Sequence, residues 1–348
     1  MTIRWALLGP GRHANWFVAP QMKKAADTEL TAVVSRERAR GTAFAEKYAI
    51  PTVYTSVDEV LNDRGIDAIY DATPDGLHVP HILAAAAAGK HILVEKPLAM
   101  SVRDCLEAIS ACRQHGVKLG VVFNQRHEAV HQEARRMVLA GAIGEVKLVH
   151  VQVPLRVLLP RPAPGSGWRA DPGMRYGGIA VSIGDHAHDT LAYIVGQRVE
   201  EVSIFTDATR DEPPNDQVCG MILKLSKGAI GYAAASFSTP FARRPFEIHG
   251  TKGTLVIENG FAYLSGGGPE AVPSLTLVNE AGSNTRPIPA SECFRLEVEQ
   301  FNRAIAGQGA PATPGEDGLR ILAIGAALYD AMQNRRVARV ADFLPPLP

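Results

Sequence analysis

A short apolar run, Ile3–Leu8, stops on Gly9-Pro10-Gly11-Arg12-His13-Ala14. A strand that ends in the pattern G-x-G-x-x-A leaves few folds open. Gly9 permits the tight turn, Gly11 lets a backbone approach a diphosphate, and Ala14 lets the next helix pack close on the strand. The diphosphate would then rest on amide groups at a helix N-terminus, where the dipole favours anions. Downstream the alternation continues. Leu30–Ser35, Ala68–Ala72, His91–Val94 and Lys118–Phe123 read as strands, and Ala39–Tyr48, Val57–Asn62, His78–Ala88 and Val102–His115 as helices. Continuous apolar strands separated by helices predict a parallel sheet covered on both faces. Gly89 and Gly116 stand where helix C-termini need a permissive residue.

After a helix near Glu128–Ala140 the pattern changes. Val146–Val153, Glu201–Thr206, Val218–Ser226, Ala229–Phe237, Pro245–His249 and Thr254–Glu258 read as strands joined by short turns, with Ser226-Lys227-Gly228 and Thr251-Lys252-Gly253 as turn signals. This predicts a large, mostly antiparallel sheet, one face on helices and the other free to meet a second copy of the chain as a homodimer or homotetramer. Arg295–Ala306 and Gly315–Gln333 read as closing helices, and Leu159–Gly167 as a proline-rich loop beside the substrate. The fold class is α/β, with one domain over residues 1–122 and a second over 123–348.

Lys and Arg number 36 and so do Asp and Glu, which argues against nucleic acid or an anionic membrane as partner. No apolar stretch reaches the roughly 20 residues of a bilayer span, and the first nine residues run into a glycine turn without a cleavage pattern. A cytoplasmic protein is the expectation. Cys105, Cys112, Cys219 and Cys293 form no C-x-x-C pair, so neither zinc nor a disulfide framework is expected. No Ser-His-Asp order or H-E-x-x-H helix supports hydrolysis.

The end of the second strand bears on the cofactor. An acidic residue there would bind the adenosine ribose of NAD. This chain has Ser35-Arg36, with Arg38 and Arg40 behind, and a hydroxyl with guanidinium groups suits the 2′-phosphate of NADP. Arg12 and His13 lie in the glycine loop and either touch the diphosphate or face solvent. Val94-Glu95-Lys96-Pro97 follows the strand His91–Val94. A lysine at the carboxyl end of a parallel strand points to the ligand crevice of such sheets. There it can hydrogen-bond a substrate hydroxyl and stabilise charge developing on oxygen.

The glycine loop, Ala72-Thr73-Pro74, Ala88-Gly89-Lys90-His91 and Glu95-Lys96-Pro97 together resemble the Gfo/Idh/MocA oxidoreductases. The resemblance continues through Trp168-Arg169, Gly177-Gly178, Gly184-Asp185-His186-Ala187-His188-Asp189, Phe246–Gly253 and Pro314–Gly318, nearly the whole chain. It implies a Rossmann domain followed by an α/β domain with an open sheet, hydride transfer to or from a sugar, anhydrosugar or cyclitol, and Lys96 with His186 as the catalytic pair. It implies that Trp168 and Arg169 lie near the nicotinamide, that Thr73, Pro74 and His78 form the loop over the cofactor, and that Asn124 and Arg126 line the substrate site. Trp168, Arg169, Thr73, Pro74 and His78, together with Gly9, Gly11, Arg12, His13, Ala14, Ser35, Arg36, Arg40, Glu95 and Lys96, make up the expected NADP site, with no metal.

Ser182, Asp185, His186 and Asp189 lie at spacings that can share one helical face, and histidine suits proton transfer near neutrality. The family pattern places an aspartate four residues before the histidine, where this chain has Ser182. Asp185 is the nearest carboxylate in sequence, although adjacent helical positions face different ways. Ser182, Asp185 and Asp189 complete the expected substrate site. Two other readings stay open: an NADP-sensing regulator without chemistry, motivated by Ser182, and a glycosidase that uses its nicotinamide transiently.

Overall fold

A computed structural model describes residues 1–154, 167–168, 171, 173–208, 216–239, 246–261 and 272–345. Arg169, Pro245 and most of the proline-rich loop fall outside them. The chain divides into two compact units. The first comprises Met1–Asn124, Gly173–Arg175 and Glu292–Leu322, the second Gln125–Pro172, Tyr176–Ser291 and Ala323–Pro348. No described helix is long and apolar enough to cross a membrane.

The first unit is built on six strands: β1 (Ile3–Leu8), β2 (Thr28–Val34), β3 (Thr52–Tyr54), β4 (Ala68–Asp71), β5 (His91–Val94) and β6 (Leu119–Val121). They pair in parallel in the order β3-β2-β1-β4-β5-β6. Every residue of β4 and β6 is buried, as strands covered on both faces require. The three residues of β3, none fully buried, are too few to show a periodicity, and sequence reading passed over them. Local chemistry sets the helix boundaries. Ser56 and Glu59 form a capping box at Val57–Asn62, the Ser101 hydroxyl accepts from the Asp104 amide at Val102–Gln114, and Gly89 and Gly116 take φ of 69° and 67°. Past the glycine loop the chain winds as a π-helix over Ala14–Val18 and continues as α-helix over Ala19–Met22.

Helix Cys293–Ile305 also belongs to this unit. A Cβ on Gly120 would lie 2.8 Å from the Phe301 ring, so a glycine in β6 is what lets the helix approach. Trp5 Nε1 donates to Asn302 Oδ1 at 3.1 Å, and the Asn302 amide donates to the carbonyls of Ala26 and Asp27 and to Thr28 Oγ1. One buried asparagine thus serves the Trp5 indole N–H and the turn before β2.

The second unit holds nine strands: β7 (Val146–Pro154), β8 (Val199–Thr206), β9 (Val218–Leu225), β10 (Ile230–Ser236), β11 (Phe246–Gly250), β12 (Gly253–Glu258), β13 (Ser274–Asn279), β14 (Gly282–Pro287) and β15 (Ala338–Arg339). Their order is β14-β13-β12-β11-β7-β10-β9-β8-β15. All pairs are antiparallel except β7 with β10. Helix Gly184–Val195 packs on β7 and β10. Gly231 makes room for Leu191, since a Cβ there would stand 3.1 Å from its Cδ1. Sequence reading missed β13, β14 and β15. The exposed, polar β14 (Gly-Ser-Asn-Thr-Arg-Pro) carries no apolar alternation, and only its backbone pairing with β13 makes it a strand.

Within this unit His131 is fully buried against Phe246 and Phe261, its Nδ1 donating to the Gln125 carbonyl at 2.8 Å. Burial outweighs that bond and lowers its pKa to about 4. An unfolded chain takes up this proton near pH 6.5, so the stabilisation is complete above that pH and declines as pH falls toward 4. The shift corresponds to about 3 kcal/mol at ~1.4 kcal/mol per unit. His91 in the first unit is lowered in the same direction by burial. The expected result is that urea-unfolding stability of the wild type falls between pH 6.5 and 4.5, and that the slope shrinks in His131→Gln. Identical slopes in the two proteins would refute it.

Candidate active site

The order of the first sheet reverses between β1 and β4, so the crevice where such folds take ligands opens at the carboxyl ends of these strands. Two segments meet there. Gly9 has φ of 80°, and a Cβ on it would stand 2.9 Å from the Ala72 carbonyl oxygen and 3.1 Å from Thr73 Cγ2. No side chain fits between the two turns. Gly11 faces the other way, and a Cβ there would meet nothing nearer than its neighbour's oxygen at 4.0 Å. Its bareness leaves the backbone open to an approaching group, as a diphosphate requires. Ala14 is buried. The residues present therefore fit a dinucleotide.

A carboxylate anchors each neighbouring turn. Asp71, at the end of β4, is fully buried. Its Oδ1 accepts from the Thr73 amide (2.9 Å) and hydroxyl (2.6 Å), and its Oδ2 lies 2.8 Å from His81 Nδ1. Burial works to raise its pKa, but the His81 bond and the charges of His78 and His81 hold it below the ordinary carboxylate range. Glu95, after β5, accepts from Tyr70 Oη at 2.8 Å and lies 2.6 Å from His13 Nε2. Here too burial is outweighed, by His13 first, then Tyr70 and Lys96, and the carboxyl sits low. His13, packed on Phe17 and Phe294, thereby joins the glycine loop to the lysine segment. Sequence reading did not single out Asp71, His81 or Tyr70. An acid ending an apolar strand just before Thr-Pro was the available signal.

The remaining expected residues of this unit are placed as follows. Ser35 is buried and its hydroxyl donates to the Glu37 carbonyl at 2.8 Å. Arg36 is exposed, and Arg40 reaches Glu37 at 3.3 Å. His78 is buried, with Nδ1 2.7 Å from the Pro97 carbonyl and Nε2 3.0 Å from that of Thr73. Lys96 is half-buried at the end of β5, and the Lys96–Pro97 peptide is cis. Asn124 is buried, its amide 3.8 Å from Cys293 Sγ. Lys90, from the Ala88–His91 run, is structural: its ammonium donates to the Asp63 and Ile66 carbonyls at 2.7 Å each.

In the second unit a break at Ile183 divides the expected histidine helix into Ile179–Ser182 and Gly184–Val195. Gly184, Asp185, His186, His188 and Asp189 are all buried. The Asp189 carboxylate is held by Arg126, with Nε at 3.2 and 3.0 Å from its two oxygens and Nη2 at 2.5 Å. Asp185 stands instead beside His188, Oδ1 to Nε2 at 3.2 Å, a close approach in which neither side chain completes a hydrogen bond. Trp168 is partly exposed and follows Gly167, whose φ is 74°. Lys96 and Asn124 belong to the first unit, His186, Arg126, Ser182, Asp185, Asp189 and Trp168 to the second. Among the described residues no three His, Cys, Asp or Glu side chains cluster as metal ligands would.

The sequence profile of the oxidoreductase family with NAD-binding Rossmann fold matches residues 3–123, and that of the GFO/IDH/MocA C-terminal domain matches 131–256. The chain is 33% identical to 1,5-anhydro-D-fructose reductase of Ensifer adhaerens, over 97% of this chain and 98% of that one. It is 29% identical to D-xylose 1-dehydrogenase (NADP(+)) 2 of Haloferax volcanii, over 89% and 92%. Among solved structures, aldose-aldose oxidoreductase from Caulobacter crescentus, complexed with glycerol, superposes with a TM-score of 0.85 at 26% identity, covering 97% of this chain and all of that one. With a glycine loop at the switch point, a lysine closing β5 and relatives that match from end to end, the chain belongs to the Gfo/Idh/MocA family of NAD(P)-dependent oxidoreductases.

Proposed function

We propose that the protein is an NADP(H)-dependent oxidoreductase of a sugar, anhydrosugar or cyclitol. The observation that carries this reading is Lys96 at the carboxyl end of β5, on the edge where the glycine loop also opens. When bound, the nicotinamide supplies or accepts the hydride. The Lys96 ammonium donates to the substrate oxygen and stabilises the negative charge that grows there. His186 gives a proton to that oxygen in reduction and removes it in oxidation. The glycine loop and the Thr73–Pro74 turn hold and orient the dinucleotide, and the family resemblance adds Trp168 and Arg169 to the cofactor-binding residues. Asn124, Arg126, Ser182, Asp185 and Asp189 form or support the substrate side.

The Gly167-Trp168-Arg169 element and Ser35 resemble 1,5-anhydro-D-fructose reductase, which supports a keto or anhydro sugar as the reducible substrate. For the cofactor, the single hydrogen of Ser35 is spent on Glu37. Recognition of the 2′-phosphate therefore falls mainly to the exposed Arg36. Arg36→Ala is expected to raise the KM for NADPH about tenfold, the scale of one charge-assisted bond, and to leave that for NADH unchanged. The test is initial rates with both cofactors over a panel of keto, anhydro and inosose sugars. Tight NADPH binding without turnover on any of them would favour a regulator, and equal use of NADH would remove the NADP preference.

An assembly of two or four chains through the nine-stranded sheet is part of this reading. Its support is a run of exposed apolar side chains on one face: Leu148 on β7, Ile222 on β9, and Ile230 and Tyr232 on β10, with Phe205 on β8 86% exposed. Patches of this kind mark interaction surfaces. Phe205→Glu with Ile222→Glu is expected to convert the assembly to a monomer by light scattering, and an unchanged mass would move the interface elsewhere.

A further inference from the structure

His78 was expected to touch the cofactor, yet both of its ring nitrogens are turned to backbone carbonyls: Nδ1 to Pro97 at 2.7 Å and Nε2 to Thr73 at 3.0 Å. A carbonyl oxygen only accepts. A neutral imidazole has one N–H and one lone pair, so it can satisfy only one of these oxygens and would set its lone pair against the other. Both contacts become hydrogen bonds only when each ring nitrogen carries a proton. Such a ring is a cation, and His78 is 1% exposed. A buried cation needs a counter-charge, and Asp71 is within reach of the same turn, 0% exposed, with its remaining oxygen valence taken by Thr73 and His81.

We propose that His78 is a positioning residue: a doubly N–H-bearing clamp, balanced by Asp71, that locks the Thr73–Pro74 turn to the Lys96–Pro97 segment. The two loops that its bonds join leave adjacent strands, β4 and β5, which are also tied by the Glu95 amide donating to the Asp71 carbonyl at 2.9 Å. Thr73 lies flush with Gly9. The clamp therefore makes the seat of the dinucleotide and the segment bearing Lys96 a single rigid piece. The ionisable groups around it are Asp71 on β4, Asp75 in the turn between them, His81 on its own helix, and Glu95 and Lys96 on the segment it grips. The low carboxyl of Asp71, drawn down in part by the charge of His78, agrees with this arrangement. Its effect on turnover rests on the proposed role of Lys96, while its structural part does not.

The test has two arms. In the wild-type protein, nitrogen-15 NMR of the histidine rings at neutral pH is expected to show two protected ring N–H groups for His78. A single ring N–H overturns the clamp, whatever the kinetics. In the second arm, His78→Leu keeps the bulk and removes both donors. It is expected to lower kcat about tenfold or more while moving the NADPH Kd less than about threefold, because a misplaced lysine costs orientation rather than cofactor binding. His78→Gln, whose amide group offers two hydrogens, is expected to recover part of kcat. Wild-type kcat in His78→Leu would overturn the positioning role. If Lys96→Met proves active, the catalytic reading fails, and the ring protons still decide the clamp.

Discussion

Lys96→Met is expected to lower turnover about a thousandfold or more while leaving NADPH affinity within about threefold, since proton handling and oxyanion stabilisation each contribute two to four orders of magnitude. Methionine keeps the length and apolar stem of lysine and removes only the charge. The surroundings predict that the fold survives. Lys96 does less to hold the Glu95 carboxyl low than His13 and Tyr70 do, so the loss of its charge leaves the carboxylate with both hydrogen-bond partners. On the proposed reading, cofactor binding draws on the glycine loop and the Thr73 turn, whose residues the substitution leaves in place. Stopped-flow rates and NADPH fluorescence titration separate the two quantities. Full activity would take Lys96 out of the mechanism.

Asp189→Ala is the other large effect, and its readout is stability. Arg126 and Asp189 have side chains only 16% and 3% exposed, and the guanidinium grips both carboxylate oxygens. Removing the acid strands a desolvated cation, which costs about 3–5 kcal/mol. Tyr193, whose ring lies 5.6 Å from the Arg126 guanidinium carbon, returns little of that. The double variant Arg126→Met with Asp189→Leu should regain most of the loss, because an apolar pair of similar volume has no charge to strand. Urea unfolding of the wild type, Arg126→Met, Asp189→Leu and the double variant, which close a cycle, gives the coupling directly. A single variant within about 0.5 kcal/mol of wild type, the range of ordinary surface substitutions, would show the pair to be energetically idle. Both residues were read from sequence as substrate ligands. Their mutual bond means that any effect of either on KM must be measured beside this cycle.

The glycine loop was legible because its requirement is backbone geometry at single positions, which residue identity expresses directly: only glycine accepts φ of 80° with a carbonyl 2.9 Å from where Cβ would stand. The parallel strands were legible because burial on both faces writes an unbroken apolar run. Asp71 and His81 were not, because a buried acid looks like any acid until its partner ten residues later is folded against it. The same holds for Asp185 and His188. The sequence showed two ionisable residues on a helix, and the fold showed that they meet, buried, at 3.2 Å.

Local rules in the amino-acid order determined the alternation of strands and helices, the dinucleotide turn and the lysine that closes β5. The three-dimensional arrangement decided the rest. It returned residues 292–322 to the first sheet through Asn302 and Phe301, recruited the polar β14 by backbone pairing alone, and set both ring nitrogens of His78 against backbone carbonyls. The physical reason is range. Dihedral preference and hydrophobic period act within a few residues, whereas the pairing of buried polar groups depends on which distant segment arrives to satisfy them.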